Sequence, residues 1–226
     1  MLRLDILTLF PGIFSGFFGE SIPKIALEKG ALELHLHNIR DWSANRHAKV
    51  DDRPFGGGPG MVMTCQPLVD AVEAVRKMTE APGRLIFLTP EGRRFGQALA
   101  VELGREERII LVCGRYEGFD ERVFALLQPE RLSLGDFVLS GGETAAMAVA
   151  DAVIRLLPGV LGCSDSTAEE SFSQGLLDYP HYTQPPEYRN HAVPEVLRSG
   201  NHARIDAWRR EQAQERTGRF RPDLLG

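Results

Sequence analysis

Two short, nearly continuous apolar runs, Arg84-Leu85-Ile86-Phe87-Leu88 and Ile109-Ile110-Leu111-Val112-Cys113, do most to limit what this chain can fold into. Runs of that length, β-branched and ended by Gly- or Pro-bearing loops, suit central strands covered on both faces. Between them Ala98, Leu99, Val101 and Leu103 recur at helical spacing, and downstream so do Ala146, Met147, Val149, Ala150, Val153 and Ile154. Strands alternating with helices predict an α/β domain built on a parallel sheet. Leu2, Leu4 and Ile6, and Leu34 and Leu36, alternate with polar residues and predict two further strands with one better-buried face.

Ligands of open α/β sheets bind beyond the carboxyl ends of the strands. Three glycine-bearing segments fall at such ends: Leu88-Thr89-Pro90-Glu91-Gly92, Cys113-Gly114-Arg115-Tyr116-Glu117-Gly118, and Leu132-Ser133-Leu134-Gly135-Asp136-Phe137-Val138-Leu139-Ser140-Gly141-Gly142-Glu143. Glycine there either permits a tight turn or lets a ligand reach backbone amides and carbonyls. Three such ends favour a site, and the apolar residues of the third are expected to be buried.

Composition adds bounds rather than identity. At 43% hydrophobic and 25% charged, 226 residues can build one sizeable core and a small second unit. The three cysteines, Cys65, Cys113 and Cys163, have neither zinc spacing nor the even count of a disulfide framework, so ordinary thiols are expected. The amino terminus lacks a basic segment leading into a long apolar one, and no apolar run approaches a membrane span; a cytoplasmic protein without a membrane partner is expected. Of the net charge of -5, residues 1–173 carry -6 and residues 174–226 carry +1. A local patch can still bind nucleic acid.

After Pro158-Gly159 the apolar period fades. The segment 161–173 reads as a linker between a ligand-binding domain, 1–160, and a small, mainly helical domain, 174–226, whose main helix is expected from about Asn201 through Thr217. In Arg53-Pro54-Phe55-Gly56-Gly57-Gly58-Pro59-Gly60-Met61, Gly57 and Gly58 could cradle an anion or admit a flat base, although such a run taken alone favours a flexible connecting loop. A dinucleotide fingerprint and a P-loop are both missing, so oxidoreductase and NTPase readings lose support. His35 and His37 share a strand face without a third metal ligand at suggestive spacing, and hydrogen-bonded histidines are expected there.

The motifs Arg53 to Met61, Cys113 to Arg122, Leu134 to Glu143, Pro158 to Gly162 and Pro180-His181-Tyr182-Thr183 occur in an order that closely resembles the bacterial TrmD family, the tRNA (guanine-N1)-methyltransferases of the SPOUT class. The resemblance covers nearly the whole chain. It implies an α/β fold with a SPOUT-type parallel sheet and a deep carboxyl-side trefoil knot, a linker, a small helical C-terminal domain that binds tRNA, and a homodimer whose active site is shared between subunits. It implies S-adenosyl-L-methionine as methyl donor, held by Leu88, Pro90, Gly114, Glu117, Leu134, Gly135, Asp136, Phe137, Val138, Leu139, Gly141 and Gly142, and a dependence on Mg2+ although no dedicated carboxylate cage is evident. The reaction implied is methylation of N1 of guanine at position 37 of tRNA, with guanine favoured at position 36.

Arg155 matches the arginine that stabilises charge on O6, although a helix-terminal arginine could also cap carbonyls. The family's base is the aspartate of a Glu-Asp-Ser sequence. This chain reads Glu169-Glu170-Ser171, which makes Glu170 the expected base and Glu169 the substitute. Gln184 stands where the family commonly has arginine. Ser171, Asn201, His202, Arg209 and Arg210 are the remaining RNA-facing candidates.

Overall fold

The computed structural model describes residues 1–162 and 170–225, so Cys163, Glu169 and most of the expected linker lie outside the described residues. The chain divides after Gly162 into two compact units.

In the first unit the elements run β1 (Leu2–Thr8), α1 (Phe14–Phe18), α2 (Ser21–Glu28), β2 (Leu32–Asn38), β3 (Asp51–Asp52), β4 (Val62–Met63), α3 (Cys65–Arg76), β5 (Arg84–Arg94), α4 (Gln97–Leu103), β6 (Arg108–Cys113), α5 (Glu121–Leu127), β7 (Glu130–Ser133) and α6 (Gly142–Ile154). The main sheet has the order β2-β1-β6-β5-β7, and every pairing in it is parallel. All six residues of β6 are buried, the apolar run Ile109 to Cys113 among them, as a covered central strand requires.

Alternation along the strands separates two cores. Leu4, Ile6, Ile86, Leu88, Ile109, Leu111 and Cys113 face α2, α4 and α6; Leu7, Leu85, Phe87, Ile110 and Val112 face α3 and α5. A period of two on a central strand with helices on either side is the doubly wound arrangement. A buried ion cluster fastens one end of the sheet. Arg108 Nε donates to Asp5 Oδ2 at 2.8 Å, and its remaining nitrogens donate to Val75 O, Arg76 O, Ala81 O and Thr79 Oγ1 around the end of α3. His37 Nε2 lies 2.8 Å from Asp5 Oδ1, and His35 Nε2 lies 2.7 Å from Glu33 Oε1, so both strand histidines are hydrogen-bonded.

Strand β5 departs from expectation by running past its glycine. Leu88 and Arg93 both register with Leu132 of β7, so Thr89 to Gly92 bulge out between them. Gly92 permits this because a Cβ there would lie 2.2 Å from Leu132 N. Burial of the apolar run after β7 is a second departure. Strand pairing ends at Ser133, the chain turns outward, and Phe137, Val138 and Leu139 are exposed, Val138 by 91%. A loop over a strand end has no second layer of its own chain to cover it.

The second unit holds a two-residue hairpin, β8 (Glu187–Tyr188) with β9 (His191–Ala192), and the helices α7 (Glu195–Arg198) and α8 (His202–Phe220). Asn201 starts α8 by accepting from Arg204 N, as an N-cap should. Among its described residues only Thr217 is buried; its Oγ1 accepts from Leu177 N at 2.9 Å and ties the incoming segment to α8.

Candidate active site

The bulge of β5 and the carboxyl ends of β6 and β7 open into one pocket of about 260 Å³. Leu88, Pro90, Gly114, Glu117, Leu134, Gly135, Phe137, Val138, Leu139, Gly141 and Gly142, all singled out in the sequence, line it together. Asp136 does not. Its carboxylate sits outside, paired with Arg94, because the turn about Gly135 directs it to solvent. Sequence reasoning missed Thr89, Arg115, Tyr116, Phe119 and Ala145, which also line the pocket. All but Tyr116 and Ala145 neighbour a glycine or proline inside motifs already singled out, a signal that could have found them.

The glycines have a steric reason. A Cβ on Gly142 would lie 2.8 Å from both Cys113 Cα and Gly114 N, and Gly142 N donates to Gly114 O at 2.8 Å. The first residue of α6 is thereby seated on the end of β6, directing the helix amino terminus toward the pocket. A Cβ on Gly141 would lie 2.3 Å from Arg115 Nε, so that guanidinium packs directly on the glycine backbone. Tyr116 takes a positive φ of 60°, a constrained conformation for a residue with a side chain, at the pocket wall.

A buried polar chain holds the 134–141 loop in place. Glu143 is 2% exposed and accepts from Thr8 Oγ1 at 2.7 Å. Its other oxygen lies 2.8 Å from Arg115 Nη2, an ion pair whose angle falls outside hydrogen-bond geometry. Arg115 Nη1 donates in turn to Ser140 O at 3.1 Å. Beneath them Cys113 is fully buried, and burial, reinforced by the Glu143 charge, pushes its thiol well above the ordinary value. It is a packing residue rather than a nucleophile.

The hairpin of β3 and β4 carries Gly57 and Gly58 outside the pocket but bonded to its wall: Glu117 N donates to Met61 O and Met63 N to Gly118 O, both at 2.9 Å. Arg155 occupies the C-cap of α6, its N–H donating to Asp151 O. From Gly142 at the pocket, thirteen residues of helix at 1.5 Å each put Arg155 roughly 20 Å away along the same chain.

In the second unit Glu170, Asp178, Tyr179, Arg209 and Arg210 line a hollow of about 520 Å³. Arg209 stacks over Tyr179 at 4.7 Å and lies 3.7 Å from Asp206 Oδ1. Ser171 Oγ accepts from Asp178 N at 3.0 Å, which shapes the turn carrying Glu170. Asn201 and His202 are exposed at the start of α8 and do not line this hollow. Among the described residues no three His, Cys, Asp or Glu side chains gather as a metal site, and no helix is long and apolar enough to cross a membrane.

The family model for tRNA (Guanine-1)-methyltransferase TrmD matches residues 2–226. The chain is 54% identical over 227 residues to the tRNA (guanine-N(1)-)-methyltransferase of Rhodopirellula baltica, covering 99% of this chain and 94% of that protein. It is 53% identical over 224 residues to the proteins of that name from Dehalococcoides mccartyi and Bacillus cereus, covering 99% of this chain and 90% and 92% of theirs. With its whole length matched and its strand-end pocket built by the family's glycine motifs, the chain belongs to the tRNA (Guanine-1)-methyltransferase TrmD family.

Proposed function

We propose that this chain transfers a methyl group from S-adenosylmethionine to N1 of the guanine at position 37 of tRNA, preferring guanine at position 36, and that the site is completed by a second copy of the chain. Family membership over the full length is the observation that carries the reaction.

The pocket suits the donor. Its volume lies near the lower edge of small-molecule sites, which fits a compact, bent ligand. Leu88, Leu134 and Leu139 offer apolar wall, the Gly114, Gly141 and Gly142 backbones permit close approach, and Glu117 offers a carboxylate to an ammonium group. When bound, S-adenosylmethionine supplies a methyl carbon activated by an adjacent sulfonium.

N1 of neutral guanine carries a proton, so methyl transfer needs a base. Glu170 takes that role: its carboxylate accepts the N1 proton as the new N–C bond forms. Charge left on the ring gathers at O6, where the Arg155 guanidinium stabilises the transition state more than the ground state. The extra methylene of Glu170 relative to the usual aspartate is absorbed by the turn on which it sits.

Distance supports a homodimer with a shared site. The backbone of Arg155 stands roughly 20 Å from Gly142 at the pocket of its own chain, a spacing that favours the partner's arginine serving each pocket. Exposed Phe137, Val138 and Leu139 give the partner an apolar surface to cover. The second unit, with one buried residue among those described, gains order on binding tRNA, with Ser171, Asn201, His202, Arg209 and Arg210 facing the RNA. The trefoil knot of the SPOUT class threads the 134–141 loop near the β5 bulge. Gly57 and Gly58 approach the target base, and magnesium supports the transfer without a protein cage.

Labelled S-adenosylmethionine with an unmodified tRNA bearing guanines at 36 and 37 tests the reaction. Transfer to it, and none to a transcript with adenine at 37, is expected; equal transfer to both refutes the assigned position. Chelation of magnesium is expected to slow transfer while leaving the circular dichroism spectrum unchanged.

A further inference from the structure

Phe55 is 100% exposed, yet it stands on an arm anchored at its base by strand pairing and backbone hydrogen bonds. Asp51 and Asp52 pair with Met63 and Val62, and Thr64 N donates to Val50 O at 2.9 Å. The return strand is bonded to the pocket loop through Met61 O, Met63 N and Met63 O, the last accepting from Asp120 N at 2.9 Å. The arm therefore holds its tip at a fixed place beside the pocket wall. Pro54 restricts the approach to Phe55, and Gly57 N closes a turn onto Pro54 O at 3.3 Å.

Three consecutive glycines follow, with φ of 86°, 77° and 124°, and a Cβ on any of them would meet nothing within 4 Å. Internal packing does not demand them. They turn the chain and leave an open backbone surface next to Phe55 in the sequence. Arg46, His47, Lys49 and Arg53 lie exposed on the arm and the loop leading to it, with Asp51 and Asp52 as the acidic groups of the same stretch and Lys49 Nζ 3.1 Å from Asp52 Oδ1. An aromatic platform with cations along its stalk suits unpaired RNA, whose bases stack on the ring while its phosphates meet the cations.

We propose that Phe55 is a stacking platform for a nucleobase of the anticodon loop next to the guanine that is methylated. The inference rests on the tRNA reading above and assigns it a contact. Withdrawing a guanine from the loop into the pocket unstacks its neighbours. The phenyl face replaces one lost neighbour, holding the loop open without reading its sequence by hydrogen bonds.

The test compares wild-type protein with Phe55→Leu, Phe55→Ala and Phe55→Trp. It uses equilibrium binding of an unmodified anticodon stem-loop, single-turnover methyl transfer, cofactor affinity and sedimentation. Leucine keeps the apolar bulk and loses the π-face. F55L and F55A are expected to weaken RNA binding by roughly 5- to 150-fold, the range measured for one stacked base, while F55W stays within about twofold of wild type. Cofactor affinity and sedimentation are expected to be unchanged. RNA binding by F55L equal to wild type overturns the proposal. Altered sedimentation of F55L overturns it in favour of a contact with the second copy. Wild-type protein that binds and methylates no tRNA sinks the parent reading and this one with it; active wild type beside an unaffected F55L sinks only the stacking.

Discussion

Replacing Arg115 by methionine should loosen the pocket wall and destabilise the first unit together, because one side chain serves both. Methionine keeps much of the aliphatic volume and removes the charge. Glu143, 2% exposed, would keep the Thr8 hydroxyl and lose its cation. At 2.8 Å and an effective dielectric of about 20, the lost attraction is about 6 kcal/mol gross. Desolvation offsets much of this. Breaking a buried pair by removing one partner costs about 3–5 kcal/mol, and the 19% exposure of the Arg115 side chain places this pair near 3. Ser140 O loses its donor at the same time, so the wall at Ser140 and Gly141 is no longer pinned. Urea unfolding should show the loss as a lower midpoint at unchanged slope, and calorimetry should show cofactor affinity reduced by about tenfold, equivalent to 1.4 kcal/mol. Glu143→Gln alone and the double variant complete a cycle with an expected coupling of about 2 kcal/mol. Additive single effects, or an R115M midpoint indistinguishable from wild type, would refute the clamp.

Three further outcomes are expected. Burial pushes the Asp5 carboxyl upward, but hydrogen bonds from His37, Arg3 and Arg108 and the Arg108 charge prevail and hold it well below the ordinary 3.8. A depressed carboxyl contributes stability that is complete above the unfolded value and is lost as pH falls below about 4. Asp5→Asn should cost about 3–5 kcal/mol at neutral pH by stranding the buried Arg108 charge, and should flatten the acid limb of a stability-versus-pH curve. Gly142→Ala must open its 2.8 Å contacts to an ordinary 3.4 Å or more, a 0.6 Å shift against backbone. It should cost about 1–3 kcal/mol and lower the melting temperature by several degrees, with weaker cofactor binding. Mixing Arg155→Ala subunits with Glu117→Ala subunits should restore turnover, since one pocket of each mixed dimer then has an intact wall and an intact partner arginine; no restoration would place Arg155 in its own chain's site.

The elements legible in the sequence were those whose own residues carry the signal. Ile109 to Cys113 could only be a covered strand, and Ala146 to Ile154 only a helix with a broad apolar face. Gly114, Gly141 and Gly142 marked the pocket because close backbone approach excludes a side chain whatever else the fold does. The His35–Glu33 contact, between residues two apart, and the start of α8 near Asn201 were likewise local matters. Family membership was legible because the motifs keep their order along the whole chain.

Other features were decided only in three dimensions. Glu143 and Thr8 are 135 positions apart and meet in the core, so no spacing announces the Thr8–Glu143–Arg115 chain. The outward turn at Gly135 depends on β7 ending beside a β5 that bulges past it, which exposes an apolar run that hydropathy alone consigns to the interior. How far Arg155 stands from Gly142 is likewise set by the helix between them, not by any motif that holds either residue. The amino-acid order fixes what each segment can be, because propensity and periodicity act over a few residues; which segments meet, and how far apart a helix holds its two ends, is set by packing that the chain acquires only when the sheet closes.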